Sequence, residues 1–275
     1  MSLDAQDTES ASLHLPRILC LHGGGTNANI FSMQCRVLKR HLSSHFRLVF
    51  AEGPFSTRPG SDVTSVYGKH GPFKAWLRTW PEDPWRSAED ITEHIDMAIS
   101  AATTADDMRG ATGPWVGLLG FSQGAKVAAS ILYSQQIQRQ TSSPITFGTE
   151  FRFAVLVAGR GPLVWLQAGQ KTPPGLVDAC QLSTSTREPF MSPRVAAPIL
   201  DTPTIHVHGL RDLGLPLHRK FLAQYFNPYS SVLLEWDGEH RMAVKTADVV
   251  RVVECILTMA RATGALPDAP CYIAD

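Results

Sequence analysis

An α/β fold is what this sequence predicts, with a mostly parallel six-stranded sheet and helices on both faces. Three observations predict it. Strand-like and helix-like segments alternate along most of the chain, the rhythm of parallel strands joined by crossovers. No internal repeat and no linker-like stretch divides the 275 residues, so one domain over 17–265 is the expected count. Finally, the pentapeptide Gly120-Phe121-Ser122-Gln123-Gly124 sits between a compact apolar run and a helix-like run. A serine between glycines at a strand-to-helix junction is the setting of a nucleophile elbow.

In order, Arg17 to His22 reads as a buried strand ending in Gly23-Gly24-Gly25. Asn29 to His41 reads as a helix, with Ile30, Phe31, Met33, Val37 and Leu38 placed for one face. Phe46 to Ala51 is the second strand, closed by Glu52-Gly53-Pro54. Ser87 suits the N-cap of a helix running to Ala102, where Ile91, Ile95 and Ile99 recur at helical spacing. Trp115 to Leu119 and Ala125 to Leu132 are the strand and helix that flank Ser122. Phe151 to Ala158 and Thr204 to His208 are two further strands, and Leu217 to Phe226 is a helix. Ser231 to Trp236 is the last strand and Arg241 to Ala262 a closing amphipathic helix. The crossovers between parallel strands must be right-handed.

Two segments break the rhythm. Phe55 to Trp85 is long and rich in aromatics, and Gly159 to Asp201 carries six prolines. Long irregular segments in a compact domain are usually binding loops or lids. Both follow carboxyl ends of strands, the edge that presents Ser122, so they are expected to roof a site there, with 159–201 as a lid insertion. Trp76, Trp80 and Trp85 are then candidates to line an apolar pocket, with packing of their own loop as the alternative.

Composition narrows the function. With 44% hydrophobic and 18% charged residues the chain can bury a sizeable core. Twenty-five basic residues balance twenty-five acidic ones without a long run of either sign. That argues against nucleic acid or an anionic membrane as the main partner. Five scattered cysteines with no C-x-x-C pattern suit free thiols in a reducing compartment. Residues 1–16 are polar and acidic without an apolar core segment, and no apolar stretch reaches the ~18 residues of a membrane span. Tails over 1–16 and 266–275 and a cytoplasmic location are the expectations.

A serine hydroxyl is a poor nucleophile until an imidazole removes its proton. An elbow therefore calls for a histidine and an orienting carboxylate, in the chain order Ser, Asp, His. Asp212 stands on the turn Gly209-Leu210-Arg211-Asp212 after one strand, and His240 on Asp237-Gly238-Glu239-His240 after the next. Asp237 is three residues from His240, an awkward reach to the far ring nitrogen, and Asp201 precedes its strand at the opposite edge. The expected triad is Ser122, Asp212 and His240. The oxyanion of acyl transfer also needs donors, and the N–H groups of Gln123 and Gly24 are the candidates. His22 is better placed to brace the glycine loop. No Gly-Lys-Ser/Thr follows that loop, so it is not a phosphate cradle. His206 and His208 face the same way on a strand, but no further ligand completes a metal site.

These residues carry a resemblance. Leu21-His22-Gly23-Gly24-Gly25-Thr26-Asn27, Ile30-Phe31 with Gln34, and Phe50-Ala51-Glu52-Gly53-Pro54 occur in order with Gly120 to Ala125, Gly209 to Asp212 and Gly238 to His240. From about Arg17 to Ala262 the chain resembles the fungal serine hydrolase family of the α/β-hydrolase superfamily. Within it, the chain most resembles thioesterases of secondary-metabolite clusters. The resemblance implies an α/β-hydrolase fold and a cofactor-free enzyme that cleaves an acyl thioester, releasing a polyketide from the carrier domain of a synthase. A carboxylesterase acting on small or lipid esters is the first alternative, and a noncatalytic hydrolase-fold scaffold the second.

Overall fold

A computed structural model describes residues 11–142, 149–167, 169–184 and 198–268. Ten strands are β1 (Arg17–Leu21), β2 (Arg47–Ala51), β3 (Phe55–Ser56), β4 (Lys74–Ala75), β5 (Trp115–Phe121), β6 (Phe153–Val157), β7 (Val164–Trp165), β8 (Val177–Asp178), β9 (Thr204–Gly209) and β10 (Ser231–Trp236). Seven helices lie wholly within the described residues, α1 (Ala28–Gln34), α2 (Arg36–Leu42), α3 (Ser61–Tyr67), α4 (Ala88–Met108), α5 (Gln123–Thr141), α6 (Leu215–Tyr225) and α7 (Thr246–Ala262).

Six strands form one sheet in the order β10-β9-β6-β5-β1-β2, with every pairing parallel. Side chains on a strand alternate between faces, and here each face meets its own apolar layer. Leu19, Leu21, Ala154 and Leu156 pack with Ile91, Ile95 and Ile99 of α4, Val127 and Ile131 of α5, and Phe221 of α6. Ile18, Cys20, Phe153 and Val155 face the other way, onto Phe31, Leu38 and Leu42 of α1 and α2 and Val249, Val253 and Ile256 of α7. The α/β-hydrolase-like architecture that the sequence predicts is the one present.

Several boundaries differ for physical reasons. The helix expected over Asn29 to His41 is two helices that meet at Cys35 (φ −83°, ψ 6°), and both halves bury apolar residues on the same sheet face. Helix α4 runs six residues past Ala102, where apolar periodicity ends, because Asp106 is held there by Arg47 and Arg17. Helix α5 continues through Gln135, Gln136 and Gln138, all buried. Gln136 Nε2 donates to the Ile199 carbonyl (2.8 Å), and its Oε1 accepts from Asp201 N–H (2.7 Å). Amide side chains satisfied in this way sit in a core as apolar ones do. Helix α7 starts at Thr246 rather than Arg241, leaving Arg241–Lys245 to the loop that carries His240.

The two long loops contain structure of their own. The first holds α3 and an antiparallel pair of β3 with β4; the second holds a parallel pair of β7 with β8. Of the second loop, residue 168 and residues 185–197 lie outside the described set, as do residues 1–10 and 269–275 of the expected tails 1–16 and 266–275. Within the first tail, Leu13 accepts from the N–H groups of Thr112 and Gly113. No helix among the described residues is long and apolar enough to cross a membrane.

Candidate active site

Ser122 lies between β5 and α5 with φ 53° and ψ −111°. That left-handed backbone is costly for a residue with a Cβ, and the neighbouring glycines make it possible. A Cβ on Gly124 would stand 2.0 Å from the Leu21 carbonyl oxygen, and one on Gly120 would meet Ala125 Cα at 2.5 Å. The missing side chains let α5 begin hard against β1 and β5. The turn is fixed from the far side by Ser122 N–H, which donates to the Val157 carbonyl at 2.8 Å.

Asp212 and His240 reach Ser122 from adjacent strand ends. The turn after β9 and the turn after β10 are zipped together: Leu210 N–H donates to the Trp236 carbonyl (2.9 Å) and Arg211 N–H to the Gly238 carbonyl (2.8 Å). Gly209 permits this approach, since a Cβ there would lie 2.5 Å from Gly238 O. The outcome is a continuous hydrogen-bonded chain. His240 Nδ1 lies 2.7 Å from Asp212 Oδ2, and His240 Nε2 lies 3.0 Å from Ser122 Oγ. A carboxylate only accepts, so the ring proton belongs on Nδ1, leaving the Nε2 lone pair for the serine hydroxyl.

The Asp212 carboxylate is buried and well supplied with donors. Gly214 N–H donates to Oδ1 (2.7 Å), and His218 Nε2 lies 2.9 Å from Oδ2. Burial alone would raise its pKa. The hydrogen bonds from His218, His240 and the Gly214 N–H outweigh that and hold the carboxyl well below the usual carboxylate range. The two rivals lie elsewhere: Asp237 pairs at the surface with Arg211 (2.9 Å), and Asp201 accepts from Asn227 (2.8 Å).

The glycine loop after β1 faces the elbow. A Cβ on Gly24 would sit 3.2 Å from the Gln123 side-chain amide, and one on Gly23 would sit 3.5 Å from Ser122 Cβ. Neither the Gly24 nor the Gln123 N–H enters the hydrogen-bond network of the described residues. His22 braces this loop. Its Nε2 accepts from Gly53 N–H (2.8 Å), so its Nδ1 carries the proton and donates to the Gly23 carbonyl (2.8 Å).

The Gln123 side chain joins both long loops to the elbow. Its Oε1 accepts from the N–H groups of Trp76 (2.8 Å) and Leu77 (3.3 Å). Its Nε2 donates to Leu77 O (3.1 Å), Thr79 Oγ1 (2.9 Å) and Ser183 Oγ (2.8 Å). Trp76 is fully buried and donates through Nε1 to the His22 carbonyl (2.9 Å). Trp80 stacks under Arg58 at 4.0 Å, and Trp85 is exposed. None of the three tryptophans lines the cavity of about 230 Å³ beneath the first loop, whose walls include Pro54, Phe55, Thr57, Leu77, Arg78 and Ile91.

Ring and carboxylate atoms of Asp212, His218 and His240 lie within 4.8 Å of one another. The hydrogen bonds through Asp212 Oδ2 account for that spacing. His206 and His208 are buried core histidines: His206 meets Thr204 Oγ1 (3.1 Å) and the edge of Phe226. Burial, and then each ring's neighbouring imidazole, pushes His206 down to about 3 and His208 down to about 4. His218 is the site residue that sequence reasoning missed. It sits inside an ordinary amphipathic helix, and no motif marks it.

Over 261 residues the chain is 58% identical to the esterase dbaE of Emericella nidulans, covering 93% of this chain and 94% of that protein. It is 51% identical over 265 residues to the esterase pigG of Monascus ruber, covering 95% and 97%. Among solved structures it is similar to a carboxylesterase from Mesorhizobium loti, with a TM-score of 0.49, 17% identity and 88% of each chain covered. The family described as serine hydrolase (FSH1) matches residues 11–249, and the chain belongs to it.

Proposed function

We propose that this serine hydrolase cleaves an acyl thioester carried by a synthase's carrier domain, through an acyl-enzyme on Ser122. One observation supports the chemistry above all others, the unbroken hydrogen-bonded chain from Ser122 Oγ through His240 to Asp212. Ser122 Oγ attacks the acyl carbon while His240 Nε2 takes its proton. The N–H groups of Gly24 and Gln123 hold the tetrahedral oxyanion. Collapse breaks the carbon–sulfur bond, and His240 returns its proton to the departing thiol. Water, deprotonated in turn by His240, then attacks the acyl carbon; the carbon–Oγ bond breaks, His240 returns the proton to Ser122 Oγ, and a carboxylic acid is released.

The acyl chain is read as a polyketide. The cavity beneath the first loop mixes apolar walls (Phe55, Leu77, Ile91) with Thr57, Arg78 and Asp83. Such a lining suits a chain that carries oxygens along its length better than a plain alkyl chain. It shares Leu77 with the Gln123 contacts, which links it to the elbow. Residues 159–201 act as a lid within a single domain spanning 17–265. The reaction needs no cofactor, and a cytoplasmic location, where carrier domains are met, completes this reading.

Ester hydrolysis is the second reading, and the esterase names of the relatives favour it. Both bonds yield to the same residues, so the triad does not choose between them. Turnover of an acyl-carrier thioester beside short p-nitrophenyl esters decides. A strong carrier preference is expected. Brisk ester cleavage with no off-loading from the carrier overturns the thioester reading.

A further inference from the structure

His218 is 1% exposed, and both of its ring nitrogens are engaged by acceptors. Nε2 lies 2.9 Å from Asp212 Oδ2, and Nδ1 lies 2.9 Å from the Gly159 carbonyl oxygen. A carbonyl only accepts, and so does an ionised carboxylate. A neutral ring would turn a lone pair toward one of the two oxygens. The doubly protonated ring alone donates to both. Gly214 makes the packing possible, since a Cβ there would press on His218 Cε1 and Nε2 at 3.0 Å and on Asp212 Oδ1 at 3.1 Å.

From this geometry we infer that His218 is a positioning residue of the hydrolytic site, clamping Asp212 as an imidazolium through Oδ2, the same oxygen that His240 meets. The inference rests on the Ser122–His240–Asp212 reading above. The clamp, with Gly214 N–H, fixes the carboxylate plane so that Oδ2 meets His240 Nδ1.

The surrounding charges fit this role. His208 from β9 lies 5.6 Å from the His218 ring, and His240 lies 5.9 Å away and nearly parallel to it. Burial, and then the charge of His218, pushes His208 down to about 4, so His208 stays neutral beside a cation. Arg160, which follows Gly159, adds positive charge near Asp212. Arg219 on the same helix is paired at the surface with Glu235 of β10 (2.8 Å). Asp212 is thus the only carboxylate hydrogen-bonded to this ring among the described residues.

The test is steady-state kinetics per titrated site, with active sites counted by a fluorophosphonate probe, across pH 5–9 for His218→Gln and His218→Ala. We expect kcat to fall about 10- to 100-fold in His218→Ala with KM changed less than threefold. His218→Gln, which keeps one donor for Asp212, should recover part of kcat. An unchanged kcat per titrated site, with only lower thermal stability, would mean a structural histidine and overturn the inference. If the variants do not fold, ring-nitrogen NMR of the wild-type enzyme decides: two protonated nitrogens on His218 at the pH of maximal activity support the clamp, and a neutral ring overturns it. Ser122→Ala keeps the two readings separate. If it still takes the probe, the hydrolytic reading fails; if it does not, a null result at His218 sinks only the clamp.

Discussion

Lys126 Nζ donates to the Ser183 carbonyl at 2.8 Å from a fully buried side chain, one helical turn beyond Ser122 and beneath the second loop. No carboxylate pairs with it among the described residues. Burial, and then the charge of Arg160, pushes its pKa down to about 7. In the unfolded chain the ammonium holds its proton to ~10.4. Below pH 7 both states are protonated, and the folded state carries the full cost of a buried charge. Between about 7 and 10 the unfolded state binds the extra proton, so stability rises with pH. Lys126→Met removes that dependence. Relative to wild type it should gain on the order of a few kcal/mol at pH 6 compared with pH 9.5, read by urea unfolding at each pH. Parallel curves would show that the lysine is not strained by its burial.

Much of the site is legible in the sequence because strained backbone demands particular residues. Gly120 and Gly124 stand where a Cβ would collide with backbone, and that demand shows as a motif. Chain order then pointed to Asp212 and His240, and the two turns that carry them are hydrogen-bonded neighbours. What stays hidden depends on contacts between distant segments. His218 finds its second partner at Gly159, 59 residues away. Trp76 reads as a pocket-lining aromatic only while its loop is imagined open; in the fold its indole is committed to the His22 carbonyl. The buried glutamines of α5 look like solvent-facing residues until their backbone partners are in place.

Removing the nucleophile or the base should abolish turnover without unfolding the protein. Ser122→Ala and His240→Ala are each expected to lower kcat by about 10⁴ to 10⁶, with little change in melting temperature. Asp212 stays ionised through the acid range because its hydrogen bonds overcome its burial. The wild-type rate should therefore rise with pH along a single limb, that of a histidine base. Substantial turnover in either variant, or a rate flat from pH 5 to 9, would contradict these roles.

Gln123 has two separable parts, a backbone N–H facing the elbow and a side chain that latches two loops. Gln123→Ala keeps the first and deletes the second. It strands the N–H of Trp76 and loosens Leu77, Thr79 and Ser183. Each buried group left unpaired costs about 1–3 kcal/mol, so a loss of ~2–4 kcal/mol in unfolding free energy is expected. Faster proteolysis within the two loops and a higher KM should accompany it. Limited proteolysis followed by mass mapping checks this; cleavage rates equal to wild type would mean the loops are held by something else.

At the opposite edge of the sheet, Asp106 is 1% exposed and takes three hydrogen bonds from Arg47 (Nη2 at 2.7 Å, Nε at 2.9 and 3.1 Å) and one from Arg17 (3.4 Å). Those arginines open β2 and β1, so the carboxylate ties the end of α4 to the amino ends of two core strands. Asp106→Ala takes a carboxylate from two largely buried guanidinium groups, although Arg17 keeps Asp107 as an ionic partner, a change that costs about 3–5 kcal/mol. Asp106→Asn keeps acceptor oxygen but loses the charge, and should cost less. Ser122 stands at the carboxyl end of β5, which pairs with β1, a full strand length away, so kcat of the folded fraction should stay within about twofold of wild type. Denaturant unfolding with turnover per titrated site measures both at once. A large fall in kcat per site would mean that strain at the amino ends of β1 and β2 reaches the elbow, which the rigid parallel ladder between them is expected to prevent.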